Sequence, residues 1–209
     1  MMLQKLLLNG KSDEELMSLW VESRRTGRGD AAPFEVLWKR HSEASYRTIV
    51  RMLGANRSLA DDVHQDTWLE VTRATRFVPG SFRAYLRTIA TRKALDRLTS
   101  AALRTAQPSS LDDEEDSLES VASPNASPVR ATEGREAAAI VLGIVANMPA
   151  LQRVAWTLKY VEEMTFEEIS EAMGTPVGTA KTRVRLANEF LADALRERGI
   201  ERLDVEDDG

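Results

Sequence analysis

Apolar side chains recur along this chain at the three- and four-residue spacing of amphipathic helices, and no stretch shows the sustained alternation of a strand. Leu16, Leu19 and Trp20 mark a first helix. Ser12 and Glu15 stand before it at capping-box spacing. Asp30 is placed to cap a second helix, with Pro33 tolerated in its first turn. Phe34, Leu37, Trp38, Ile49, Val50 and Leu53 form its apolar stripe, and Gly54 ends it. Ser58 is expected to open a third helix carrying Leu59, Val63, Trp68, Leu69 and Val71, which the run FVPG breaks. Ser81 caps a fourth with Phe82, Tyr85, Leu86, Ile89, Leu95 and Leu98.

The helical pattern resumes near residue 137. Ala137–Met148 is strongly apolar, and Pro149 starts a helix with Leu151, Val154, Ala155 and Leu158. Thr165 and Glu168 form a second capping box ahead of Phe166, Ile169 and Met173. Gly174 marks a tight turn. Thr175 and Pro176 fit the cap and first position of a last helix, whose core face is Val177, Ala180, Val184, Ala187, Leu191 and Leu195. The expected fold is all-α, with two small helical domains over 12–103 and 136–198. A flexible acidic linker, 104–135, joins them, an extension covers 1–11, and an acidic tail covers 199–209.

Charge supports that division. The chain holds 28 Lys and Arg against 33 Asp and Glu, a net charge of −5. Ala101–Glu136, rich in Ser, Pro and acid, has eight acidic and three basic side chains and so carries −5 by itself. The flanking segments, taken with the extension and the tail, sum to zero. A segment of this composition cannot bury enough apolar surface to order itself.

Several function classes lose their footing. Apolar runs fall far short of the ~20 residues that span a bilayer. The start MMLQKLLLNGK lacks a basic n-region and a small-residue cleavage site, so a cytoplasmic protein is expected. Cysteine is absent. His41 and His64 have no neighbours at metal-ligand spacing, and GTAKT at Gly178–Thr182 lacks the spacing of a phosphate loop. No enzyme motif, metal or cofactor is expected.

Three constellations remain. The first is the pair of helices around Gly174. A plain αα-hairpin and a helix-turn-helix fit the turn equally well. Thr179, Lys181, Thr182, Arg183 and Arg185 favour the second, because they crowd the first turns of the last helix. A recognition helix presents its N-terminal residues to the major groove in this way. The second is the fourth helix, with Arg83, Arg87, Arg92, Lys93 and Arg97 and with Phe77 and Phe82 beside the preceding loop. It reads as a solvated basic face or as a nucleic-acid stripe with aromatics for stacking. The third is Asp61, Asp62, Gln65 and Asp66, on one helical face. The helix dipole accounts for the two acids of the first turn but not for Asp66.

Taken together, these segments resemble an extracytoplasmic-function RNA polymerase sigma factor of the sigma-70 family. SDEELMSLW, FEVLWKRH, ADDVHQDTWLEV and GSFRAYLRTIATRKALDRL look like its region 2, in order and spacing. The stretch from MPALQRVAWTLKYVEEMTFEEISEAMG to VGTAKTRVRLANEFLADAL looks like region 4. The resemblance spans roughly residues 12–197. It implies a promoter-specificity subunit that binds core RNA polymerase at its clamp helices and flap. Such a subunit is commonly held as a heterodimer by an anti-sigma factor and is otherwise a monomer.

Carried onto this chain, region 4 would read the −35 element with Thr179, Lys181, Thr182, Arg183, Arg185 and Leu186. Region 2 would read the −10 element with Arg76, Phe77, Ser81, Phe82, Arg83, Arg87, Arg92, Lys93 and Arg97. Asp61, Asp62, Gln65 and Asp66 would grip the polymerase clamp, by charge complementarity to a basic coiled coil. Arg92 stands where the family often has Asn, and Leu186, Asn188 and Phe190 replace more polar residues. The outward position of Leu186 and Phe190 on a helical wheel points to an apolar patch. Two alternatives keep part of this pattern: a sigma-like mimic that sequesters an anti-sigma factor, and a repressor or activator using the helix-turn-helix alone.

Overall fold

The computed structural model describes residues 8–77, 80–106 and 131–200. Among these there is no strand. Four α-helices form the N-terminal part: α1 (Asp13–Arg25), α2 (Ala32–Leu53), α3 (Ala60–Arg73) and α4 (Phe82–Ala106). The C-terminal part holds α5 (Ala131–Ala146), α6 (Ala150–Trp156), α7 (Phe166–Met173) and α8 (Val177–Glu197).

Local chemistry sets most boundaries. Both capping boxes form: Ser12 and Thr165 accept from the Glu15 and Glu168 N–H groups, and the two glutamates accept from the cap N–H groups in return. Gly54, at φ 56°, stops α2, and Gly174, in the left-handed region, stops α7. Ser81 accepts from the Ala84 N–H at 3.3 Å at the start of α4. The Phe82 N–H is taken by the Glu14 carboxylate of α1 at 3.1 Å.

Three expected caps differ. Asp30 does accept from the Ala32 N–H at 3.0 Å, but Ala31 occupies the cap position. Ser58 does not cap α3, because Gly54–Leu59 is a 3-10 segment and α3 begins at Ala60 after Leu59. Thr175 does not cap α8, whose N-cap is Pro176. The Thr175 hydroxyl is buried without a partner, and its carbonyl accepts from Ser170 Oγ at 2.5 Å.

Helix α4 runs through Ala106 and α5 begins at Ala131, so the segment read as a linker has helical ends. Residues 107–130, most of that segment, and 201–209, most of the tail, lie outside the described residues. The end of the N-terminal extension packs onto the helices. Leu8 is buried beside Leu16 and Leu37, and Arg40 donates to the Asn9 and Lys11 carbonyls at 2.7 and 3.0 Å.

Three apolar clusters organise the molecule. One belongs to the N-terminal domain, with Leu16, Leu37, Trp68, Val71, Phe82 and Leu86. One belongs to the C-terminal domain, with Ile144, Met148, Trp156, Leu191 and Leu195. The third joins them. Ile49, Met52 and Leu53 of α2 and Ala90, Ala94 and Leu98 of α4 are buried with Val154, Leu158, Ile169, Met173 and Val184. The two domains therefore pack face to face, with α7 lying on α4.

Candidate nucleic-acid interface

The helix-turn-helix is built as its spacing predicts. Gly174 adopts φ 60° and ψ 40°, which turns α7 into α8 with no steric cost. Ala180, Val184 and Ala187 anchor α8 inward, which leaves Lys181, Thr182, Arg185 and Leu186 exposed and Thr179 and Arg183 half-buried. Lys181 Nζ sits over the Phe166 ring at 5.4 Å. Thr182 Oγ1 donates to the Gly178 carbonyl one turn back at 2.9 Å. Arg185 pairs with Glu189 of its own helix. Phe190, expected on the outward side with Leu186, instead packs against the Trp156–Leu191 cluster.

The basic helix α4 is less free than its sequence implies. Arg76 is exposed, and so is Arg83. Phe77 is half-buried, its ring 5.7 Å from Tyr85 in an edge-on contact. Phe82 is fully buried with its ring 5.3 Å from His41, so it is a core residue here and offers no face to a base. Lys93 pairs with Glu70 at 2.7 Å, and Arg97 pairs with Asp66 at 2.7 Å. Arg92 reaches across to the Glu171 carbonyl of α7 at 3.4 Å. Arg87 pairs with Glu162, and Arg83 stands 3.7 Å from the same carboxylate.

The acidic face of α3 divides. Asp61, Asp62 and Gln65 are exposed, whereas Asp66 turns toward α4. Its hydrogen bond, reinforced by its charge, raises the Arg97 pKa further above its usual range. Asp61 is hydrogen-bonded with Tyr46; burial first, then this carboxylate, raise the phenol's pKa.

Gln65 also lines an apolar groove with Phe34, Trp38, His64, Trp68 and Leu69, in which Trp38 and Leu69 are exposed. Trp38 and Trp68 meet edge-on at 4.8 Å. His64 Nε2 lies 3.1 Å from Trp68 Nε1 and 3.0 Å from the Ser42 carbonyl, so its tautomer decides which bond forms. Burial lowers its pKa; the Ser42 carbonyl and Asp61 oppose that shift without cancelling it.

Two interdomain residues escaped the sequence reading. Arg153 is 4 % exposed and pairs with no carboxylate among the described residues; its guanidinium donates to the Met52 and Leu53 carbonyls at 2.8 and 3.0 Å and to Met148 at 2.6 Å. Burial lowers its pKa. Glu162 is the other. A charged residue inside an apolar stretch, as Arg153 is in QRVAW, was the available signal.

Two family models match the chain: Sigma-70 region 2 over residues 37–104 and Sigma-70 region 4 over residues 138–191. The RNA polymerase sigma factor CarQ of Myxococcus xanthus is 33% identical over 186 residues, covering 87% of this chain and 98% of that protein. The ECF RNA polymerase sigma factor SigW of Bacillus subtilis is 27% identical over 192 residues, covering 87% and 100%. Among solved structures, the sigma factor RpoE of Bartonella quintana, determined with the anti-sigma factor NepR, has a TM-score of 0.58. It is 16% identical and covers 78% of this chain and 96% of that one, a likeness of fold. With both sigma regions in order and this extent of shared sequence, the chain belongs to the extracytoplasmic-function sigma factors of the sigma-70 family.

Proposed function

We propose that this promoter-specificity subunit reads a −35 element with α8 and a −10 element with the segment from Arg76 through α4, while α3 docks on the polymerase clamp. The observation that carries the −35 assignment is the exposed cluster Lys181, Thr182 and Arg185 on the first turns of a helix set by Gly174. These side chains suit guanine edges, thymine methyls and phosphates.

For the −10 element, Arg76 and Arg83 are solvent-facing, Arg87, Lys93 and Arg97 lie along the same helix, and Ser81 opens it. Phe77 is the aromatic at the rim. Asp61, Asp62 and Gln65 form the open acidic edge for a basic coiled coil. The C-terminal domain would meet the polymerase flap. An anti-sigma factor is the natural regulatory partner, by analogy with RpoE, which is seen in complex with NepR. Retention of the basic side chains favours promoter reading over mimicry.

In vitro transcription tests this reading. The purified chain is mixed with sigma-free core polymerase and fragmented genomic DNA, and RNA starts are mapped. Discrete starts sharing two upstream elements are expected. Their absence, with the chain folded, would overturn promoter reading in favour of the mimic.

A further inference from the structure

One carboxylate crosses between the domains. Helix α6 continues into a π turn, Thr157–Val161, and the Glu162 N–H then reaches back to the Thr157 carbonyl at 3.1 Å. Glu163 follows at φ 55°, the one positive φ outside glycine among the described residues. Single π turns recur at functional sites, and a non-glycine residue in this region persists only where its surroundings hold it. Together these two irregularities deliver Glu162 into the seam between the domains, where it is 9 % exposed.

The partners of that carboxylate come from the N-terminal domain. Thr48 of α2 donates its hydroxyl to Oε1, and Arg87 of α4 donates Nε to Oε2. Arg83 Nη2 stands 3.7 Å from Oε2. A carboxylate and a backbone phosphate bind the same fork of guanidinium donors, so they compete for one arginine.

Closure also covers the surface beside these arginines. Ile169 and Met173 of α7 are buried in one cluster with Ala90 and Ala94 of α4, the turn that follows Arg87. Opening need not unfold either half, because each domain keeps an apolar cluster of its own away from the seam. Removing one partner of such a buried pair is costly to the closed arrangement, because the other charge is left there without compensation.

We propose that Glu162 is an internal stand-in for a DNA phosphate. It occupies Arg87 and Arg83 and holds the free chain closed until nucleic acid displaces it. This inference rests on the assignment of Arg83 and Arg87 to DNA made under the proposed function. The exposed α8 residues stay open in the closed form, so the free chain presents that DNA-reading surface and withholds Arg87 of the other.

The absence of native cysteine makes the test clean. The substitutions Ala31→Cys and Ala192→Cys, one at an exposed position of each domain, carry a donor and an acceptor dye in the full chain. Energy transfer then reports domain separation without DNA, and anisotropy reports binding to a fluorescein-labelled single-stranded oligonucleotide of mixed sequence. Glu162→Gln should lower energy transfer and tighten oligonucleotide binding by about tenfold, the gain expected when a binding-competent form rises from roughly a tenth of the population. Thr48→Val should move both readouts the same way by less. Glu167→Gln, which removes an equal charge from the exposed side of α7, should move neither.

Unchanged energy transfer in both Glu162→Gln and Thr48→Val would overturn the latch. So would opening without tighter binding, or an equal gain from Glu167→Gln. A separate failure is distinguishable. If Glu162→Gln opens the chain and tightens binding while the parent directs no transcription with core polymerase, the promoter reading falls and the latch stands.

Discussion

Gly54 and Arg153 share a space that a larger residue at either position would contest. A Cβ on Gly54 would lie 2.7 Å from Arg153 Cζ and 2.6 Å from the Ala146 carbonyl oxygen. The glycine ends α2 at positive φ, and the guanidinium threads through the room its missing side chain leaves. From there Arg153 satisfies the last carbonyls of α2, Met52 and Leu53, and the Met148 carbonyl beyond α5. Buried carbonyls at helix ends need such donors.

Gly54→Ala should therefore cost more than the ~1–3 kcal/mol of a sparsely populated positive-φ backbone, because the added methyl also displaces the guanidinium. Urea unfolding of the full chain measures it. A loss under about 1 kcal/mol would mean the helix ends rearrange freely.

Thr165→Ala removes the cap side of the second capping box. A loss of about 1 kcal/mol is expected in urea unfolding, with α7 fraying first in hydrogen exchange. Protection that stays level across Phe166–Met173 would contradict the cap's role.

Arg185→Ala should relax promoter choice by about 1–3 kcal/mol at one position of the −35 element. The side chain is exposed and must exchange Glu189 for DNA, so fold stability should hardly change. Start-site mapping against a randomised −35 library gives the answer. An unchanged promoter profile removes Arg185 from the reading set.

Asp62→Lys reverses an exposed charge on α3 that has no role in the core. The fold should survive and retention of the chain by core polymerase should fall sharply. Wild-type co-purification would move the docking surface elsewhere.

His64 makes the chain sensitive to mild acid. Burial lowers its folded pKa, against the weaker pull of the Ser42 carbonyl and Asp61. The unfolded chain then takes up a proton more readily, so His64 leaves stability undiminished above about pH 6.5 and reduces it as the pH falls below that value. An imidazole midpoint below that of a free histidine, followed by NMR, is expected. So is a smaller acid loss of stability in His64→Gln. A midpoint above the free value would contradict the burial argument.

Much of this protein is local and so was legible in the sequence. Capping boxes, glycine stops and the period of Leu, Val and Ile depend on neighbours three or four positions away. They located both domains, the helix-turn-helix and the exposed basic positions of α8. The Ser58 and Thr175 caps misled for a related reason: a 3-10 segment and a proline satisfied the same boundaries with other residues.

Short-range pattern was enough for the set of helices, their inward faces and the family. Tertiary structure alone decided which polar side chains meet across the seam. Glu162 and Thr48 lie 114 positions apart and Arg153 and Met52 101 apart; inside the N-terminal domain, Asp66 and Arg97 are likewise 31 apart. No periodic pattern encodes such pairs. Phe82 shows the same limit, since its place beside a basic helix suggested stacking on a base and packing against His41 put it in the core. A charge or ring in the sequence names a capacity. Only tertiary packing, within a domain and between the two, settles whether it faces solvent, a buried carbonyl or a partner's charge.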